Sequence, residues 1–236
     1  MSLSLDGHNN ATGSSVNSVP ITLTTVNSSD VVVIFIGTFN IASLTTVASV
    51  SDTSSLSWQK RPGAGRYDFQ LSLFHFYYDL EIWYATASSA LNNDSITVNL
   101  SQAASTTDVI AFGVSGANFA SPFDPNVGLP VFAANNSGGA VGSTTNPNTM
   151  VIGLYWRLSA LGPVLNPGTG FSLIDQIGQG YSAEYQIAYS AQTNLKASFS
   201  VTNDAVCAFD AITAPAYSGA AFPNLKTYPK KMNILD

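Results

Sequence analysis

Short runs rich in Val, Ile, Thr, Phe and Tyr recur along the chain, separated by Asn, Asp, Ser and Gly. That pattern reads as β-strands between turns. It places strands at 20–26, 30–37, 55–60, 67–85, 94–100 and 107–115, then at 149–157, 169–175, 182–189, 195–201 and 205–213. No helical period of useful length competes with them; residues 86–92 (TASSALN) are the one weak helical candidate. Many short strands with turn signals between them predict an all-β fold, a two-sheet β-sandwich of jelly-roll-like character.

One stretch breaks the usual alternation. In FQLSLFHFYYDLEIWYA, residues 69–85, Phe69, Leu71 and Leu73 occupy one phase, while Phe74, Phe76, Tyr78, Leu80 and Ile82 occupy the other. A half-buried strand sends successive side chains to opposite faces, so this segment reads as apolar on both. As a single straight strand, 67–85 would span about 60 Å at ~3.3 Å per residue. It therefore either projects beyond the sandwich or bends through a bulge near Phe74. The expectation is that one face covers the domain's own core and the other meets another chain.

The strands also echo one another. The order TT-VNSSDVVVIFIG, LSW, LEIWYA, DSITVNLS, DVIAFGVSG is followed by TT-NPNTMVIGLYW, GFSL, AEYQIAY, LKASFSV, AVCAFDAIT. This register sets Glu81 against Glu184 and Phe112 against Phe209. It predicts two halves of one body, residues 19–213, since either half alone would expose a whole sheet face. The second half lacks a counterpart of RPGAGRYDFQLSLFHFYY. Around the body, residues 1–18 read as a polar N-terminal arm, 116–147 as a long inserted loop, and 214–236 as a C-terminal arm with apolar anchors among prolines. Candidate intersubunit contacts are Phe74, Phe76 and Tyr77 in the extension, with Phe222, Tyr228, Lys230 and Lys231 in the C-terminal arm.

Composition narrows the function. Charged residues are 9% of the chain, well under the usual quarter, and the net charge is −6. That acidic balance argues against nucleic-acid binding, which needs a basic face. Nor does any run reach the ~18 apolar residues of a membrane span. The opening MSLSLDGHNNATGSS lacks the basic and apolar regions of a signal peptide, so synthesis in the cytoplasm is expected, with any exterior role reached by another route such as a virus particle.

Catalytic chemistry is thinly represented. Cys207, the single cysteine, lies in an apolar run and reads as a small buried hydrophobe. Asp79 and Glu81 share a strand phase, which does not supply carboxyls from opposite sides of a bond, and read as a solvated outer face. His8 and His75 have no partners at metal-ligand spacing. No catalytic residue, metal site or cofactor is assigned. Of the three tryptophans, Trp156 reads as core, and Trp83 is the candidate platform for stacking a sugar.

The set formed by LTTVNSSDVVVIFI, SVSDTSSLSWQKR, DLEIWYATASSALNNDSITVNLS, DVIAFGVSGANFASPFD and GFSLIDQ…SAEYQIAYS resembles a β-sandwich module of tailed-phage virion proteins, which is also found in some bacterial surface proteins. The resemblance covers roughly residues 19–213 and leaves out the 67–78 extension and the C-terminal arm. It implies a non-enzymatic role as a capsid decoration or tail-associated component. The implied partners are other copies and other virion proteins. The alternative is a carbohydrate-binding adhesion module that attaches to a host-surface glycan.

Overall fold

A computed structural model describes residues 2–134, 136, 138–158, 164–200 and 204–215. It is all-β. The first half holds nine strands: β1 (Ser4–Gly13), β2 (Val16–Leu23), β3 (Asp30–Asn40), β4 (Val47–Asp52), β5 (Gln59–Lys60), β6 (Gly65–Leu71), β7 (Phe74–Ala87), β8 (Asp94–Ala104) and β9 (Thr106–Ser115). The second holds seven: β10 (Val131–Ala133), β11 (Ala140–Gly142), β12 (Thr149–Arg157), β13 (Ser172–Ile177), β14 (Tyr181–Ala188), β15 (Leu195–Ala197) and β16 (Ala205–Thr213).

These strands form four sheets in a stack. Sheet A runs β1-β9-β3-β7-β5, with β6 also on β7; sheet B is β2-β8-β4; sheet C runs β10-β16-β12-β14-β13; sheet D is β11-β15. Three apolar cores alternate with them. Val31, Val33, Phe35, Leu80, Ile82 and Phe112 of A meet Ile152, Leu154, Trp156, Tyr181 and Ala208 of C. The other face of A, with Ile34, Ile36 and Ala111, packs on Ile21, Val50 and Val98 of B. The other face of C, with Val151, Tyr155 and Phe209, packs on Ala140 and Ala197 of D. The layer order is B, A, C, D. β3 and β12 are buried at nearly every residue for this reason, as continuous apolar strands covered on both faces should be.

The echo is a duplication of strand order. β9-β3-β7 in A corresponds to β16-β12-β14 in C, β1 to β10, β5 to β13, and the pair β2-β8 to β11-β15. Four of the five echoed blocks fall on corresponding strands; LSW, residues 56–58, lies just before β5. With Glu81 set against Glu184, the ladder corrects the second residue match. Glu81 lies beside Ile36, which faces Val109; Glu184 lies beside Gly153, which faces Phe209. Phe209 therefore matches Val109. Phe112 sits in the A–C core and Phe209 in the C–D core.

Other expectations change. The stretch read as an N-terminal arm is β1 and the start of β2, held to β9 and β8; its polar residues belong to an edge strand that keeps one side in water. The stretch read as a long loop contains β10 and β11, each three residues long and too short to show a period. Of the stretch read as a C-terminal arm, 214–236, residues 216–236 lie outside the described residues.

A turn clamp repeats as well. The Asp6 carboxylate, at a bulge in β1, accepts bonds from the Val26 and Asn27 amides, 20 and 21 residues on. Asp124 accepts from Thr145 and Asn146, 21 and 22 residues on. Each carboxylate ties down the Thr-Thr turn that launches a central strand, β3 or β12.

The halves are also locked by charge. Arg61, just after β5, makes a bidentate pair with Asp210 of β16: Nε–Oδ2 is 2.7 Å and Nη2–Oδ1 3.0 Å. Asp210 is wholly buried, and the guanidinium stands 4.0 Å over the Phe123 ring. Burial pushes the Asp210 carboxyl up; Arg61 pulls it back. Removing one member of a buried pair strands the other charge. Arg61→Met should cost about 3–5 kcal/mol in chemical denaturation. A loss well below 1 kcal/mol would mean the pair does not hold the halves together.

Candidate functional site

The stretch apolar on two phases is not one strand. β6 and β7 form a hairpin, with Leu71 opposite Phe74 and a two-residue turn at Ser72 and Leu73. Ser72 takes the turn's positive φ of 56°. A two-residue turn shifts the parity, so odd residues of β6 and even residues of β7 share a face. Tyr67 pairs with Tyr78, Phe69 with Phe76, and Leu71 with Phe74. The rings of Phe69, Phe74, Phe76 and Tyr78, expected on two faces, lie on one. No Asn-Gly or Gly marks this turn, which is why the pattern reads as a single long strand.

That face is the A–C face carried past the end of sheet C. A ladder of rings climbs from the core along it. Tyr78 meets Trp156 edge to face at 5.2 Å and donates its hydroxyl to the Leu158 carbonyl at 3.1 Å. Phe39 packs on Tyr78 at 4.8 Å, and Phe69 stacks on Phe76 at 4.8 Å and 10°. Exposure rises outward. Tyr78 is 7% exposed, Phe74 60%, Leu71 64% and Leu73 93%. At the base, Phe39, Tyr78, Trp156, Leu158, Ile177 and Asp108 line a cleft of about 400 Å³. Burial raises the Asp108 carboxyl, while hydrogen bonds from Thr12 and Trp156 oppose the rise.

The opposite face of the hairpin is polar. Tyr77 lies there, half-buried, its hydroxyl 2.7 Å from His75 Nδ1. Of the candidate contact residues, Phe74 is thus at the exposed tip, Phe76 on the ring ladder, and Tyr77 on the far face. Phe222, Tyr228, Lys230 and Lys231 lie outside the described residues.

Asp79 and Glu81 are not on a solvated face. They are 1% and 0% exposed, because sheet B covers the side of A on which they stand. Arg66 Nε is 2.7 Å from Asp79, and Lys60 Nζ is 2.9 Å from Glu81. Burial and the neighbouring Glu81 push the Asp79 carboxyl up against the pull of Arg66. The basic residues around the RPGAG turn thus neutralise buried carboxylates. Trp83 is half-buried against the A–B core, and its indole N–H donates to Glu81 at 2.8 Å. Trp156 is core, as expected.

Cys207 is fully buried in the C–D core, its Sγ 3.7 Å from the Asn136 carbonyl, and burial pushes the thiol up to about 12. A thiol so placed is inert. His8 Nδ1 lies 2.9 Å from Asp175 of β13, an exposed link between the halves. Among the described residues no group of three His, Cys, Asp or Glu side chains is placed to hold a metal ion. Comparison with known proteins adds no relative: no family model, curated protein or solved structure matches the chain.

Buried carboxylates make stability depend on pH in two senses. Burial pushes Glu184 up to about 8 against the Gly168 and Ser198 amides, and burial with Asp6 alongside pushes Asp30 up to about 7. The folded chain keeps these protons where the unfolded chain has released them, so their contribution is full near pH 4 and is lost as pH rises through 7 and 8. Asp6 and Asp124 behave oppositely: despite burial, backbone amides hold their carboxyls low, and their contribution is lost as pH falls through those lowered values. The thermal midpoint should peak at mildly acidic pH. Glu184→Gln should flatten the decline toward pH 8 and gain about 1–3 kcal/mol there. An unchanged slope would place the proton elsewhere.

Proposed function

We propose that this chain is a non-enzymatic structural component of a bacteriophage particle, a capsid decoration or tail-associated protein that works by packing against other copies and other virion proteins. The observation that carries the reading is the β6–β7 hairpin. It is a paired arm that places Leu71, Leu73 and Phe74 in water, with a ring ladder beneath them. The largest apolar patch on a protein surface often marks a contact site, and these three side chains are among the most exposed large apolar residues described. The resemblance to tailed-phage virion modules supports the same role, and the outer part of the hairpin, residues 67–78, lies outside the part that carries the resemblance. A low share of charged residues suits surfaces that meet protein.

The carbohydrate-binding alternative has less behind it, since Trp83 is packed against the core with its N–H engaged. Light scattering on the purified chain, a pull-down against virion proteins and a glycan-binding screen separate the two. Self-association or virion binding without glycan retention is expected. A chain that remains monomeric, ignores virion proteins and retains a glycan would overturn the reading.

A further inference from the structure

We propose that the cleft at the base of the ring ladder binds a compact organic ammonium group, with the Asp108 carboxylate as its counter-charge and the rings of Phe39, Tyr78, Trp156 and Tyr181 around it. The site is separate from the exposed hairpin tip, so the inference stands or falls independently of the packing role.

The rings come as two matched pairs. With Glu81 set against Glu184, Ile36 corresponds to Gly153. Further along each ladder, Phe39 opposite Tyr78 then corresponds to Trp156 opposite Tyr181. Duplication has placed an aromatic pair at the same point of sheet A and of sheet C, and the A–C contact brings the pairs together. Phe39 lies 4.8 Å from Tyr78, Tyr78 5.2 Å from Trp156, and Trp156 5.8 Å from Tyr181. The last two contacts are edge to face, at 74° and 85°. Rings so crossed enclose a corner rather than a flat stacking platform. Ammonium groups are drawn to aromatic faces within about 6 Å.

Asp108 is the part that the duplication does not repeat. It lies beside Gly37 as Ala208 lies beside Leu154, so the second half has a methyl group where the first has a carboxylate. Elsewhere in the central sheets buried carboxylates have cations: Arg66 on Asp79, Lys60 on Glu81 and Arg61 on Asp210. Asp108 is half-buried, and among the described residues it receives the Thr12 hydroxyl at 2.8 Å and the Trp156 indole but no cation. Glu184 and Asp30 also lack cations, yet both are wholly buried; Asp108 opens on a cleft. Arg157 borders that cleft from the β12 phase of Val151 and Tyr155, which faces sheet D. Tyr181 adds a second unmet group. Its hydroxyl is buried near Asp108 and has no hydrogen-bond partner among the described residues, a state that calls for a ligand, ion or water. Apolar walls, a few convergent polar groups and a volume of about 400 Å³ are the usual form of a small-ligand site. The charge the site lacks is positive, and its walls favour a cation.

Calorimetric titration of the full chain at constant ionic strength tests this with choline, n-butylammonium and neohexanol, the neutral carbon analogue of choline. Saturable one-site binding of an ammonium is expected, with neohexanol at least about tenfold weaker. Preference for choline would identify a free quaternary amine as the occupant, and preference for n-butylammonium the lysine side chain of a partner; both support the site. Asp108→Asn keeps an acceptor for Thr12 and Trp156 and should weaken the ammonium about tenfold or more. Phe39→Leu keeps bulk while removing a ring, and should weaken it about threefold. Asp68→Asn, at a carboxylate 68% exposed on the hairpin, should leave the affinity unchanged. Circular dichroism checks that each variant is folded. A folded wild type that binds neither ammonium, neohexanol that binds as tightly as choline, or a folded Asp108→Asn chain with undiminished affinity would overturn the inference.

Discussion

Everything in this fold follows from packing one face of sheet A on one face of sheet C. Each sheet already has an outer layer, B or D, so this contact leaves two central sheets with no face in water. Close approach is built into the backbone. A Cβ at Gly37 of β3 would stand 2.8 Å from the Tyr181 ring and 2.9 Å from Trp156, so only glycine lets those rings of sheet C lie against sheet A. Burial on both faces then governs every polar group on β7, β14 and β16. Glu81 and Asp79 need Lys60 and Arg66; Asp210 needs Arg61. Glu184, with a backbone amide from Gly168 instead of a cation, keeps its proton.

The two halves solve the same problem with unequal means. Both pin the turn before their central strand with a carboxylate, Asp6 or Asp124. Both bury a glutamate on the outer face, Glu81 or Glu184. The first half supports it with an 11-residue β8, the second with a three-residue β15. The larger difference is the β6–β7 hairpin, which carries the A–C face beyond its cover. An inner surface becomes an outer one there, and that is the physical origin of the exposed Leu73 and Phe74.

Much of this was legible in the sequence. Apolar strand runs define the all-β class, and four of the five echoed blocks fall on corresponding strands because each keeps its turn residues and order; LSW falls just before β5. Trp156 and Cys207 could be placed in the core from their apolar neighbours. The hairpin turn escaped because Ser-Leu carries no local turn signal. Asp79 and Glu81 looked solvated because alternation cannot tell water from a second layer of the same chain. The layer count needs contacts between residues far apart, such as Arg61 with Asp210. The Asp6 and Asp124 clamps had a faint signal, an apolar-Asp pair about twenty residues before each Thr-Thr, that becomes meaningful only when Asp6 is known to lie in β1 and Phe123 to bridge Ile212.

The central claim is that the A–C core makes one cooperative body of the two halves. Scanning calorimetry tests it most directly. A shared core predicts a single transition whose calorimetric and van't Hoff enthalpies agree. Two separate transitions, or a calorimetric enthalpy well above the van't Hoff value, would show that the halves unfold independently and that the A–C contact is not what the structure depends on.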